Sequence, residues 1–291
     1  MTSLPDDAAA HDLLRRVGVA AAVIPEILAA RPERGTEAWA QLAAWHHELV
    51  SASSPVLWPP SAPGAPGTQR WLQLWAVIAA VPRVLALNAA RGIDDGITWH
   101  TLADIGINID RHIGAHGRPG FDGAFWLCQH VRGQIYRLGR LQFNLMSITF
   151  DPGPDAPFRV GDPALGVHIP PGSPLDPAAC DDSLGRAGSF FAQHLPGTTY
   201  EVATCASWLL DEQLVDMVGP DSNIVRFQRR FTPVAGWSEA GDEDVLRFVF
   251  GNPHADLDAL TPRTTLERAM VGHLRAGRHF HNRLGWLRLS T

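Results

Sequence analysis

The chain has 291 residues, 45% of them hydrophobic, and a formal net charge of -6 at pH 7. This size and composition predict a soluble protein of one large or two modest domains, and we find no apolar run long enough to span a bilayer. The acidic balance gives no general attraction to phosphate backbones or anionic lipids, so we expect no nucleic-acid and no membrane partner. The first residues lack the charged-then-apolar pattern of an export signal, which predicts a cytoplasmic location.

Two features of the composition remove whole classes of mechanism. All 24 basic residues are arginine, which excludes chemistry that needs a lysine amine, such as a P-loop or a Schiff base. Arginine remains available to bind carboxylate and phosphate groups through two hydrogen bonds. The three cysteines (Cys128, Cys180 and Cys205) lie far apart without CxxC spacing, so we expect free thiols and not disulfides or a zinc ribbon.

Apolar residues at spacings of three and four predict a helical N-terminal part. The expected helices span residues 12–19, 25–30, 36–51, 68–88, 98–113 and 122–133. The stretch 53–67 is rich in proline and glycine and cannot continue a helix, so it is predicted to be an extended connection packed by Leu57 and Trp58.

From Ile135 onward the pattern changes from helix to strand. Residues 135–150 mix β-branched, aromatic and alternating side chains, which predicts one or two strands. The later expected strands are 165–169, 200–207, 224–231 and 245–250, and the later expected helices are 176–194, 211–218 and 264–284. This order predicts an α+β fold in which a helical domain, residues 1–133, precedes a mixed β-sheet domain flanked by helices, residues 134–291.

The stretch from Ala164 to Trp208 carries most of the functional information. An apolar strand there stops at a proline- and glycine-containing turn, feeds a helix N-terminus and is followed by a second strand, an arrangement that builds a cleft for an anionic or acyl-carrying ligand. On the first strand, Gly166 and His168 share one face. His168 is the first candidate for a general base, because imidazole titrates close to neutral pH. A hydrogen-bonded core or rim histidine is the alternative.

Four segments resemble a family of bacterial acyltransferase-domain proteins. They are YRLGRLQF from Tyr136, VHIPPGSPLDPAACDDSL from Val167, CASWLLDEQL from Cys205 and SNIVRFQRRF from Ser222. That family pairs a helical N-acyltransferase N-terminal domain with a GNAT-like C-terminal domain, and the resemblance covers nearly the whole chain. It implies a GNAT-like sheet domain and an enzyme that moves an acyl group from a thioester, acetyl-CoA or another acyl-CoA, to an amine of a small molecule.

Acyl transfer to an amine needs a base for the ammonium proton and an acid for the leaving thiolate. In GNAT proteins the donor lies between two splayed strands, with its pyrophosphate on the loop and helix start after the first strand. The resemblance therefore suggests roles for the following residues: His168 as base, Cys205 or Ser207 as thiol-side acid, Gly172 and Ser173 as loop donors, and Arg140 and Arg186 as anion contacts. A buried thiol is the alternative for Cys205, a helix cap for Ser207 and an internal ion pair for Arg140.

The loop after the first strand departs from the GNAT signature, which is Gln/Arg-x-x-Gly-x-Gly/Ala. Residues 170–174 read Pro-Pro-Gly-Ser-Pro, and each proline removes a backbone donor. Asp176 before Pro177 is a helix N-cap whose carboxylate would occupy the helix end that a phosphate needs. Two alternatives thus stay open, a degenerate fold that only binds a ligand or partner and a thioester hydrolase. Whether a carrier protein or a second copy of the chain is also a partner stays open.

The second half of the sequence contains two other polar clusters. Arg226, Gln228 and Arg230 alternate on a predicted strand, which indicates either a positively charged floor or a solvated sheet face. His279 and His281, with His273 upstream, lack the spacing that faces one ion on a helix, and no acidic ligand accompanies them. We therefore expect no metal site.

Overall fold

The computed structural model describes residues 2–51, 56–59, 67–153 and 156–289, and the chain forms two compact units. The first unit is Met1–Tyr136 and the second is Arg137–Thr291. Each unit has a core of its own, and the candidate site lies within the second unit.

The first unit is helical, as predicted. Its helices are α1 (Asp7–Arg16), α2 (Ile24–Ala29), α3 (Glu37–Ser51), α4 (Gly67–Ala90), α5 (Asp95–Leu102), α6 (Asp104–His116) and α7 (Ala124–Val131). The predicted helix 98–113 is two helices, since α5 ends at Leu102 and α6 begins at Asp104. Helix α4 forms the centre of the core, where Trp71 and Trp75 are completely buried and the indole N–H of Trp75 donates to the carbonyl of Ile27.

Helix α4 corrects the prediction that no apolar run could span a bilayer. By length and composition it could cross a membrane, but 67% of its most apolar window is buried inside the structure. A helix buried in the core of a protein can also be this long and apolar on all sides.

The predicted connection 53–67 lies largely outside the described residues. Of its two predicted anchors, Trp58 stacks on Trp45 with ring centroids 4.7 Å apart, and its indole N–H donates to Glu48. Leu57 is 87% exposed, so its predicted packing role is wrong.

The second unit contains one six-stranded sheet flanked by helices, which confirms the predicted α+β class. The strands are β1 (Ile135–Leu138), β2 (Leu141–Ser147), β3 (Pro163–His168), β4 (Val202–Ser207), β5 (Thr232–Ala240) and β6 (His281–Arg288). Their order in the sheet is β1-β2-β3-β4-β6-β5. The pair β3 and β4 is parallel, whereas β2 with β3, β4 with β6 and β5 with β6 are antiparallel.

The helices of this unit differ from the sequence prediction in its second half. They are α8 (Pro177–His194), α9 (Leu214–Val218), α10 (Asn223–Gln228), α11 (Asp242–Phe250) and α12 (Thr265–Arg275). The predicted strand 224–231 is thus α10, which begins where the Ser222 side chain accepts from the N–H of Val225. The predicted strand 245–250 is α11, whose first turn carries three acidic residues that favour a helix N-terminus. The predicted helix 264–284 is α12 followed by β6.

Candidate active site

The candidate site lies where the two parallel strands of the sheet stop pairing. Strand β3 pairs with β4 through Leu165 with Ala203 and Gly166 with Thr204. His168 ends β3 beyond these pairs. Parallel strands that part in this way open a crevice at their carboxyl ends, which is where open α/β sheets bind ligands.

His168 is held by a side chain from the neighbouring strand. Its Nε2 atom lies 2.8 Å from Oδ1 of Asn144 on β2. The Asn144 amide Nδ2 donates to the carbonyl of Leu145 at 3.3 Å, which orients Oδ1 toward the imidazole. Because an amide oxygen only accepts, His168 carries a proton on Nε2 and the lone pair of the neutral ring is on Nδ1.

Gly166 makes room for this contact. Asn144 is its direct partner across the antiparallel pair β2 and β3, and a Cβ atom built on Gly166 would lie only 2.0 Å from Asn144 Oδ1. The Asn144 side chain therefore lies over the bare backbone of Gly166 and reaches His168 two residues farther on. Sequence reasoning missed Asn144, although the alternation of Gln142 and Asn144 with apolar residues was a usable signal.

The strand register separates Cys205 from His168. Leu165 pairs with Ala203, so Cys205 continues the Leu165 face of the sheet, and His168 is on the opposite face. Cys205 is 1% exposed, and its burial raises the pKa of the thiol to about 12. The prediction of Cys205 as thiol-side acid is therefore corrected to the alternative, a buried structural thiol.

Ser207 has a local role at the end of β4. Its Oγ accepts a hydrogen bond from the backbone N–H of Leu209 at 3.1 Å and caps the single helical turn Trp208–Leu210. This is the helix cap that the sequence indicated as the alternative for Ser207. The Oγ atom accepts in this contact, and the role of thiol-side acid stays a prediction.

Arg140 organises the proline-rich loop. Its Nε, Nη1 and Nη2 atoms donate to the carbonyls of Pro174, Pro170 and Ser173 at 2.9, 2.8 and 2.8 Å. The residue is 8% exposed. Its guanidinium thus binds loop carbonyls and shapes the loop, while its predicted contact with an anion stays a prediction.

The loop itself offers few donors for a phosphate. Gly172 has a φ of +103° with open space where a Cβ would stand, and Ser173 beside it is exposed. Asp176 caps α8, since its Oδ1 accepts from the N–H of Ala179 at 2.9 Å, as predicted. The donors that this loop offers to a CoA pyrophosphate are therefore the backbone N–H groups of Gly172 and Ser173.

Helix α8 contacts the β1–β2 hairpin through Ser183 and carries Arg186 on its surface. The hairpin turns at Gly139, whose φ is +80°. The Ser183 hydroxyl accepts from the N–H groups of Arg140 and Leu141 and donates to the carbonyl of Ala179. Arg186 is half-exposed and pairs with Asp182 at 3.4 Å, so the structure gives it a surface ion pair at the predicted anion position.

The fold also places the other polar residues differently from the sequence prediction. The proposed floor of Arg226, Gln228 and Arg230 does not exist, because Arg226 and Gln228 lie on α10 and Arg230 follows it. Gln228 donates to the carbonyls of Leu209 and Asp211, and Arg230 pairs with Asp181.

The histidines near the C-terminus do have acidic neighbours, which corrects the sequence prediction. Nδ1 of His279 lies 2.7 Å from Asp242. Nδ1 of His281 lies 3.7 Å from Asp211.

Comparison with known proteins identifies the architecture. Residues 8–133 match the N-acyltransferase N-terminal domain, and residues 135–287 match the GNAT-like C-terminal domain. The chain belongs to this family of two-domain GNAT-like acyltransferases. No curated protein matches it. The family predicted from the four sequence segments is confirmed.

Solved acyltransferase structures resemble this acyltransferase over almost its whole length. One, in complex with decanoyl-CoA and teicoplanin, is 38% identical, covers 99% of this chain and 90% of its own, and has a TM-score of 0.89. A mutant acyltransferase in complex with octanoyl-CoA gives 38% identity, the same coverage and a TM-score of 0.90. A third, with CoA and 10C-teicoplanin, gives 37% identity with the same coverage and a TM-score of 0.89. The expected donor class, acyl-CoA, is the class that these relatives bind.

Proposed function

We propose that this acyltransferase moves a medium-length acyl group from acyl-CoA to an amine of a small molecule, with a glycopeptide as the acceptor class. The observation that carries the proposal is His168, held by Asn144 at the point where β3 and β4 part. The solved relatives, which bind octanoyl-CoA, decanoyl-CoA and teicoplanin, support the donor and acceptor classes.

The reaction is a direct attack in a ternary complex. The acceptor ammonium loses a proton to the imidazole of His168, and the resulting amine attacks the thioester carbonyl. The amine nitrogen forms a C–N bond to the thioester carbonyl, and the C–S bond of the tetrahedral intermediate then breaks. The second proton of the attacking nitrogen passes to the departing sulfur, so the products are the amide, CoA thiol and protonated His168. Asn144 acts on the base by holding the ring orientation and the tautomer, and it stabilises the imidazolium that forms.

The donor's polar end would lie on the loop after β3. The backbone N–H groups of Gly172 and Ser173 are the donors that the loop retains, and the carbonyls held by Arg140 fix its shape. The cytoplasmic location, a carrier protein or second copy as partner, and the domain boundary at residue 133 stay predictions.

The test is an assay with decanoyl-CoA and two acceptors, a glycopeptide with a free amine and the same glycopeptide with that amine blocked. We expect CoA release and an acylated product by mass spectrometry with the free amine alone. His168→Ala should reduce kcat by about 10²- to 10⁴-fold, the range of a lost general base, and should keep decanoyl-CoA binding. His254→Ala, an exposed histidine, is the matched control and should keep full activity.

The two alternatives give different results. A hydrolase would release CoA at the same rate with no acceptor present. A binding module would bind decanoyl-CoA and release no CoA with any acceptor. Either result contradicts the proposed transfer.

A further inference from the structure

Two histidines and one aspartate of the first unit converge on a single point, away from every residue used above. His112 and His116 are four residues apart on α6, which places both on one face of the helix. Oδ2 of Asp122 lies 3.4 Å from Nε2 of His112 and 3.7 Å from Nε2 of His116. The ligand atoms of all three lie within 4.8 Å of one another.

His112 presents the nitrogen that a metal ligand requires. Its Nδ1 lies 3.1 Å from the carbonyl of Arg118, so Nδ1 carries the proton and Nε2 has the lone pair facing Asp122. A ligating histidine typically has its other ring nitrogen fixed in this way by a carbonyl or carboxylate.

The segment that carries Asp122 is fixed against α6 by close backbone packing. The helix ends at Gly117, which has a φ of +67°. A Cβ on Gly120 would lie 2.3 Å from the His112 ring, and a Cβ on Gly123 would lie 2.7 Å from the Asn108 side chain. Because glycine stands at both contacts, the segment lies flat on the helix and holds Asp122 beside the two imidazoles.

The two separations between Oδ2 of Asp122 and the imidazole nitrogens suit a tetrahedral zinc ion. Zinc with ligand bonds of about 2.0–2.1 Å places neighbouring ligand atoms about 3.3–3.4 Å apart, close to the observed nitrogen–oxygen distances of 3.4 and 3.7 Å. The side chain of His112 is 7% exposed, whereas those of Asp122 and His116 are 32% and 48% exposed. One side of the cluster is therefore open to solvent, where a water could complete four ligands.

We propose that His112, His116 and Asp122 form a binding site for a divalent transition metal ion, with Zn²⁺ as the ion that fits. Two imidazoles and one carboxylate are a donor set that suits zinc and its neighbours and not Mg²⁺ or Ca²⁺, which take oxygen ligands. A bound ion would join the end of α6 to the segment that follows it. The site is independent of the acyl-transfer reaction, so neither proposal depends on the other.

The test is metal binding by the untagged full chain after removal of metals with a chelator. We expect one Zn²⁺ bound in competition with a chromophoric chelator, and Co²⁺ at the same site with the visible absorption of a tetrahedral ion. His116→Ala and Asp122→Asn should each weaken binding by about ten-fold or more, the loss typical of disturbed metal sites. His254→Ala is the control and should bind as the native protein does.

Two further measurements keep the proposal open to contradiction. Far-ultraviolet circular dichroism of each variant separates a lost ligand from a lost fold, and Asp122→Asn retains the size of the side chain. Bound Zn²⁺ should also raise the melting temperature of the native protein and not that of His116→Ala. Failure of the native protein to bind Zn²⁺, or equal binding by His116→Ala, Asp122→Asn and the native protein, would overturn the proposal and leave a histidine–aspartate ion pair.

Discussion

Nε2 of His168 lies 2.8 Å from Oδ1 of Asn144, across two neighbouring antiparallel strands. This contact sets both the orientation and the tautomer of the imidazole. It requires Gly166, because any side chain there would occupy the place of the Asn144 amide. The candidate base is thus supported by two residues on different strands, and each can be tested separately.

Asn144→Asp should shift the pH dependence of the reaction. A carboxylate beside His168 stabilises the imidazolium and raises the pKa of the ring, by about one unit or more for a charge at hydrogen-bonding distance. The neutral base is then lost at higher pH, so the acid limb of the kcat/KM profile should move upward by about one pH unit. Asn144→Leu should lower kcat without this upward shift. A profile identical in all three proteins would contradict a role for Asn144.

Gly166→Ala should impair activity and stability together. The new Cβ would displace Asn144 Oδ1, which it would approach to 2.0 Å, so we expect a fall in kcat of about ten-fold or more with a lower melting temperature. Gly185→Ala on α8 is the matched control, since nothing lies within 4 Å of its Cβ position. That change should stabilise the protein by up to about 1 kcal/mol. Full activity of Gly166→Ala would show that the asparagine contact is dispensable.

Arg140→Lys should destabilise the protein despite keeping the charge. The guanidinium donates to three loop carbonyls, and one ammonium cannot reproduce that fork. With charged hydrogen bonds worth about 1.5–3 kcal/mol each, we expect a loss of about 2–4 kcal/mol in urea unfolding and a higher KM for acyl-CoA. Arg186→Lys, at a half-exposed ion pair, should change stability by about 0.5 kcal/mol or less. Equal effects of the two changes would contradict the structural role of Arg140.

Cys205 should make the protein less stable at alkaline pH. The ordinary value for the thiol is 9.0, and burial raises its pKa to about 12 in the folded chain. A raised folded pKa means that the stabilisation is fully present below pH 9 and is lost as pH rises toward 12. The slope is about 1.4 kcal/mol per pH unit for one proton.

The Cys205→Ala variant should remove that slope and keep activity at neutral pH. Unfolding free energies at pH 7, 9 and 10 measure the slope, and a thiol reagent should not label native Cys205. The same measurement on Cys180→Ala is also needed, because burial raises the pKa of the Cys180 thiol as well. An unchanged slope together with rapid labelling would show that Cys205 is accessible and would reopen its catalytic role.

Local sequence signals predicted the elements that lie around the site. Asp176 followed by Pro177 marked the start of α8 correctly, and the apolar runs at 165–169 and 200–207 became β3 and β4. The errors have local causes as well. Alternation at 224–231 suggested a strand, but the Ser222 cap begins a helix there. The helical pattern continues to residue 284 in the sequence and therefore concealed the end of the helix. Gly277, whose φ is +69°, lies between α12 and β6.

The sequence by itself determined the two-part α+β organisation and the family, and it predicted His168 as the candidate base. Those features rest on periodicity, capping residues and motif similarity, which are local properties of the chain. Only the tertiary structure decided which side chains meet His168, because strand register puts Asn144 on its face and Cys205 on the other. Register and helix packing join residues that are far apart in sequence, as they do for His112, His116 and Asp122.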